Sequence, residues 1–440
     1  MTAARTATVT ETAKVAGGVL LPTLAGGVIK RRPAVMQLAQ RLQLDRPSVR
    51  VVTQLRDKYD GRPLRLRVPG RSVALALSAD DVGTVLAGAP IPFSPSTVEK
   101  RAALGHFQPH GVLVSPPEQR EQRRRFNEEV LEPGHALHEL AGPFAEAVAE
   151  EAGRLRESPV LDWDRFARSW WRLVRRQVLG ASARDDDRVT DLLARLRLDA
   201  NWAYLHPRRD DARREFTQRL QAHLDRAEPG SLAATIAEVD GTTPAADQVA
   251  HWLFAYDAAA IVTFRTLALL ASHPEAARTA RADQSPELQF LRACALESVR
   301  LWPTTPMLLR ETTEQTEWGR AGTTILVFTP FFHRDPTRMS YADSFVPSIW
   351  LDGRAAAQPA LVPFSAGPAI CPGRDLVLFT VSTLLAELLR DRDYRLSGAE
   401  LSGAELSGAG LSGAGPLPAS LDPFHLRFTT HTPEQEGPPP

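Results

Sequence analysis

The chain has 440 residues, 52 basic and 52 acidic, is 43% hydrophobic and 24% charged, and carries two cysteines. That length supports a large core, and a formal net charge of zero argues against a nucleic-acid partner. Two cysteines exclude a disulfide framework and favour a reducing, cytoplasmic setting.

The first forty residues read as a flexible N-terminal arm. The apolar stretch VAGGVLLPTLAGGVI at 15–29 is short, holds four glycines and a proline, and runs into Lys30-Arg31-Arg32. It fits neither a membrane span nor a secretory signal, so no transmembrane segment is expected. PLRLRVPG (63–70) and SVALALS (72–78) alternate around a turn at Gly70-Arg71, a hairpin signal. ADDVGTVLAG (79–88) reads as a helix with Asp80 and Asp81 in its first turn.

From 116 to about 300 the pattern is helical. Segments 116–131, 136–157, 163–180 and 188–198 carry apolar residues at helical spacing. The run 247–272 is the longest and is apolar almost all round, which marks a helix buried in protein; His273-Pro274-Glu275 ends it. A helix at 287–302 stops at Pro303. Beyond 305, TTILVFTPFF (323–332) is strand-like, 375–391 is helical, and HLRFTTHT (425–432) is strand-like. The class is mainly α, an α+β chain with small β-sheets, with one domain over 41–395. A five-residue repeat, LSGAE then LSGAG, fills 396–415 and reads as a flexible loop, because four short repeats cannot bury a face of their own. Residues 416–440 add a terminal strand and a disordered tail.

Between the strand-like 323–332 and the helix at 375–391 stands FSAGPAICPGR, 364–374. Cys371 sits in a turn of Gly367, Pro368, Pro372 and Gly373, just ahead of a helix. Glycines let amides approach the sulfur, and a helix start directs free N–H groups at it; both favour thiolate. No second cysteine or adjacent histidine is at hand for zinc or nucleophilic chemistry. A lone thiolate suits one axial bond to a heme iron.

Phe364, Gly367, Cys371 and Gly373 fit F-x-x-G-x-x-x-C-x-G, which resembles the heme-binding loop of the cytochrome P-450 superfamily, of soluble bacterial type. Glu297-Ser298-Val299-Arg300 is similar to the family's E-x-x-R. Glu121/Arg124 and Glu151/Arg154 share the spacing, but only 297–300 is followed in family order by Pro303, Arg310, a strand, His333-Arg334-Asp335-Pro336 and the cysteine loop. The resemblance runs from about 50 to 430. It implies the cytochrome P-450 fold, with heme b between the long distal helix and the proximal helix that follows the loop. It also implies Cys371 as the metal ligand, Glu297 and Arg300 as a structural ion pair, and propionate contacts from Arg123 and Arg310. Gln119 stands where the family has Trp or His, four residues before that arginine.

Three further departures matter. Ala369 replaces an Arg or His that contacts a propionate. Ile349 stands where an Arg commonly joins the Glu297–Arg300 pair. Asp257-Ala258 replaces an acid–Thr pair on the distal helix, so a water on Asp257 or a substrate hydroxyl takes the place of the missing alcohol. The implied function is oxidation of a small or medium apolar molecule in secondary metabolism, using dioxygen and electrons from a ferredoxin or similar donor. Ala258 keeps open peroxide-driven oxidation, or a redox-neutral rearrangement or dehydration at heme; a catalytically degenerate heme-binding protein is a third reading. Trp202, Tyr204, Phe254 and Tyr256 are candidate pocket residues. Arg120 and Arg124 share a face expected to meet an acidic electron donor, and Cys294 is expected in the core.

Overall fold

The computed structural model describes residues 4–239, 241–397, 411 and 415–431. Apolar stripes set the helical framework. In Trp163–Leu179, Phe166, Trp170, Leu173, Val174 and Val178 form one buried face, and Asp162 caps the start by accepting from the Arg165 N–H at 2.9 Å. That helix packs on Ala141–Arg156, which packs in turn on Arg374–Leu389. Ala245–Ser272 runs between them. It is apolar and long enough to cross a membrane, yet 78% of its most apolar stretch is buried within the protein. It stops at His273, which the following proline holds out of helical geometry.

Nine strands make two sheets among the described residues: Arg5–Thr6 (β1), Leu64–Leu66 (β2), Val73–Leu75 (β3), Phe93–Ser94 (β4), Val160–Asp162 (β5), Met307–Thr312 (β6), Thr324–Phe328 (β7), Asp393–Leu396 (β8) and Arg427–His431 (β9). The larger has the order β1-β2-β3-β7-β6-β4 and the smaller β5-β9-β8. The expected β2–β3 hairpin forms, with Arg65 opposite Ala74. The strand expected over 323–332 ends at Phe328. Pro330 cannot donate to a ladder and instead opens the short helix Thr329–His333.

The first forty residues are not a loose arm. They form β1 and the helices Val9–Val15, Leu21–Ala25 and Pro33–Leu42, with Ala7, Val15 and Val19 fully buried. Gly18 serves close approach. A Cβ on Gly18 would stand 3.2 Å from Val51, and Ser48 donates to the Gly18 carbonyl at 2.6 Å. The repeat lies outside the described residues except for Leu396, Ser397, Leu411 and Gly415, and the tail beyond His431 lies outside them entirely.

Glu11 anchors this segment. It pairs with Lys58, accepts from the Thr8 N–H at 2.8 Å and accepts from the Tyr59 hydroxyl at 2.8 Å. Lys58 first, then the Thr8 N–H, hold its carboxyl at about 2, below its ordinary 4.5. A depressed carboxyl contributes stability above its unfolded value and loses it as pH falls through the folded one. Glu11→Gln is therefore expected to speed amide hydrogen exchange over residues 9–20 at neutral pH. The wild type is expected to loosen there only as pH drops from about 4.5 toward 2. Equal exchange of the two proteins at neutral pH contradicts this anchor.

Candidate active site

The cysteine loop is fixed by close contacts. Gly367 has φ +65°, and a Cβ there would lie 2.3 Å from the Leu86 carbonyl oxygen, so only glycine fits. The Cys371 N–H donates to the Phe364 carbonyl at 3.0 Å, and Arg124 donates to the Ile370 carbonyl at 2.6 Å. The loop ends at Gly373, where the helix Arg374–Leu389 begins. Burial pushes the Cys371 thiol up; the Gly373 N–H and the Arg124 charge oppose it without winning. The N–H of the turn and the Arg124 charge thus act in the expected direction, toward thiolate, with burial against them. A cation bound at the sulfur would favour its ionised form. Cys294, by contrast, is fully buried and its thiol is held well above its usual value by burial.

Cys371 opens onto a cavity of about 310 Å³. Ala255, Ala258, Ala259 and Val262 of Ala245–Ser272 line it from one side, and Phe364, Cys371 and Pro372 from another. The small side chains leave room between helix and sulfur. Phe254 lines the cavity, as expected. Tyr256 does not. It packs in the core, where its carbonyl accepts from Trp170 at 3.0 Å. Trp202 and Tyr204 are exposed on the surface.

Of the cations that line the cavity, Lys100, Arg120 and Arg310 stand apart by their partners. Lys100 donates to the Pro95 and Leu309 carbonyls at 2.8 and 3.0 Å, and Arg120 to the Val112 carbonyl at 3.0 Å. Arg310 donates to the Ser365 hydroxyl at 2.9 Å, and its Nε is buried without a partner. Among the described residues none of the three has a carboxylate within 4.0 Å. Burial first, then mutual repulsion, pushes Lys100 well below its usual value and brings Arg120 and Arg310 to about 10.

Arg123 is not among them. It donates to the Ser115 hydroxyl at 2.9 Å and to the Gln119 side-chain oxygen, so neither Arg123 nor Gln119 lines the cavity. Arg120 and Arg124, four residues apart on Pro117–Leu131, share the inward face. The expected donor-docking role of that face is therefore corrected as well.

Above the sulfur, Asp257 accepts from Arg197 at 2.6 Å. Arg197 also donates to the Ile29 carbonyl at 2.8 Å. Burial alone would raise the Asp257 carboxyl; Arg197, with Lys30 and Arg31, outweighs it and holds it below the usual range. Ala258 brings no hydroxyl. Thr263 is buried with its hydroxyl on the Ala259 carbonyl at 2.9 Å. Glu297 and Arg300 are fully buried and paired at 2.7 and 2.8 Å. Ile349 is core, and the donor expected near it comes from Trp350, whose Nε1 reaches Glu297 at 2.9 Å. Arg197 carried a readable signal, a basic residue on the apolar stripe of Asp187–Ala200. Lys100 carried none, because distant carbonyls position it.

A family model described as Cytochrome P450 matches residues 256–400. A similar protein is cyclooctat-9-en-7-ol 5-monooxygenase of Streptomyces melanosporofaciens, 35% identical over 200 residues, covering 40% of this chain and 42% of that one. Cytochrome P450 4g15 of Drosophila melanogaster is 33% identical over 113 residues, covering 24% of this chain and 20% of that one. The matches thus span less than half the length of these relatives. A zebra fish cytochrome P450 structure with abiraterone has the same fold, with TM-score 0.67 and 18% identity over 88% of this chain and 99% of that one. Residues 256–400 thus match the cytochrome P450 family, whose cofactor is heme, and the chain has the fold of a cytochrome P450. The cavity fits that group. It has apolar walls, a cysteine sulfur on one side, and cations, Lys100, Arg120 and Arg310 among them, that lack the carboxylates heme propionates would bring.

If so, Arg120→Gln and Arg310→Gln should each lower heme retention. A lost charge-assisted hydrogen bond costs about 1.5–3 kcal/mol, roughly tenfold or more in dissociation. Arg123→Gln is expected to cost less. The measurement is heme loss to an apoprotein acceptor; an Arg123→Gln protein that loses heme fastest contradicts the assignment.

Proposed function

We propose that the protein is a heme-thiolate monooxygenase acting on an apolar organic molecule, with Cys371 as the iron ligand. The observation that carries this is the juxtaposition of the Cys371 sulfur, an alanine-lined helix face and three cations without carboxylates around one cavity. When bound, heme supplies dioxygen activation and oxygen transfer, using two electrons from a ferredoxin or similar donor. Phe364 lines the cavity with Cys371, and Arg120, Arg310 and Lys100 would hold the two propionates. Ala255, Ala258 and Ala259 make room for substrate. The relative named for cyclooctat-9-en-7-ol supports a hydrocarbon-rich substrate of small to medium size and a place in secondary metabolism.

Asp257 holds the proton path. While it is paired with Arg197 it is ionised, so it orders a water rather than donating a proton itself. That water stands in for the hydroxyl Ala258 lacks. The same lock favours a second reading, in which peroxide drives the reaction and no protein proton is needed. The readout is product formed per reducing equivalent in wild type, Asp257→Asn and Ala258→Thr, with and without peroxide. Asp257→Asn is expected to slow reductant-driven turnover by about 10²–10⁴-fold, the usual share of general acid–base help, and Ala258→Thr to change it little. Wild-type turnover that needs peroxide and improves in Ala258→Thr supports the second reading against the first. No product under either condition contradicts both.

A further inference from the structure

A second cavity, of about 70 Å³, adjoins the first. Arg31, Ile261, Pro303 and Thr304 line both, so a group held by Arg31 is within reach of the main cavity. Two guanidiniums face the small cavity, Arg31 and Arg265, against one carboxyl, Asp45.

Neither guanidinium has a carboxylate within 4.0 Å among the described residues. Arg265 is 5% exposed. It donates to the Trp302 carbonyl at 3.0 Å and to the Leu421 carbonyl, and its Nε has no partner. Arg31 donates only to carbonyls, those of Gly27 at 3.0 Å and Thr304 at 2.8 Å. Asp45 is turned to the Ser420 hydroxyl at 2.7 Å. Burial pushes the Asp45 carboxyl up, toward its neutral form. Burial, then the like charge of Arg31, pushes Arg265 down to about 9. The cavity is therefore short of negative charge, and a buried guanidinium left with carbonyls alone has a standing deficit that a planar carboxylate offsets in its fork geometry.

Arg265 also has a fixed relation to the reaction site. It lies seven residues beyond Ala258 on the same helix, two turns or about 10 Å along the axis. Ile261, one turn between them, lines both cavities. We infer that Arg31 and Arg265 form a carboxylate subsite, and that the substrate is an apolar molecule whose acid group seats there while its body lies under Ala258. This rests on the main cavity being a heme and substrate site. It narrows the substrate class to carboxylic acids and sets the oxidised carbon about 10 Å from the acid.

The test is calorimetric titration of the full-length, heme-loaded protein with dodecanoate, methyl dodecanoate and acetate. Wild type is expected to bind dodecanoate about tenfold or more tighter than the ester. Arg265→Met and Arg31→Met are each expected to abolish that preference while leaving ester affinity unchanged. Asp45→Asn leaves both guanidiniums in place and is expected to keep the preference. Equal binding of acid and ester by the wild type overturns the inference. So does a preference that survives both arginine substitutions, or one that falls in Asp45→Asn. Acetate that binds without competing with dodecanoate marks a free-anion site and overturns it too. A wild type lacking the red-shifted ferrous–CO band overturns the heme reading and this inference together. A normal band with no acid preference overturns this inference alone.

Discussion

The guanidinium of Arg300 is the point on which the proximal half of the molecule depends. All five of its N–H groups are used: two on Glu297, and one each on the carbonyls of His333, Ala342 and Ser344. Glu297 in turn accepts from the Val346 N–H and from Trp350, both at 2.9 Å. A buried ion pair adds little net stability over apolar packing, but removal of one partner costs about 3–5 kcal/mol. Its role is therefore to place the irregular chain between 333 and 350, which no sheet or helix ladder would otherwise hold. His333, at the start of that stretch, accepts from the Val362 N–H at 3.1 Å, two residues before Phe364. From there the chain enters the cysteine loop.

The cavity shows the opposite arrangement. Where Arg300 is fully satisfied, Arg120 and Arg310 are buried, and Lys100 half-buried, with carbonyls and hydroxyls for company. Such a site is costly when empty of anions and favourable when they arrive. The same logic explains the thiol. Burial raises Cys371 more than Gly373 and Arg124 can lower it, so the protein supplies a pocket that favours a metal-bound sulfur over a free thiolate. Charge complementarity is thus deferred to the cofactor on the propionate side and on the sulfur side alike.

What could be read in advance divides along physical lines. Features that depend on a few neighbouring residues were legible. The turn at 364–374, the buried helix Ala245–Ser272 and the local pair Glu297–Arg300 all lie within short windows whose spacing carries the geometry. Features set by long-range packing were not. Nothing near Lys100 in sequence announces the Leu309 carbonyl it binds. The choice between Arg120 and Arg123 turns on a rotation of one helix that spacing alone does not fix. The first forty residues suggested looseness because partners such as Ser48 and Val51, which meet Gly18, lie about thirty residues away. Arg197 and Arg265 sit between these cases, since each interrupts an apolar helix face and so declares that something polar must meet it.

The claim underlying all of this is that Cys371 presents the axial sulfur to heme iron. The most direct measurement is the ferrous–CO absorption spectrum of the heme-loaded protein, of Cys371→Ser and of Cys294→Ala. The account predicts a Soret band red-shifted as for thiolate ligation in the wild type and in Cys294→Ala, and its loss in Cys371→Ser. A wild type without that shift, or a Cys371→Ser protein that keeps it, contradicts the account.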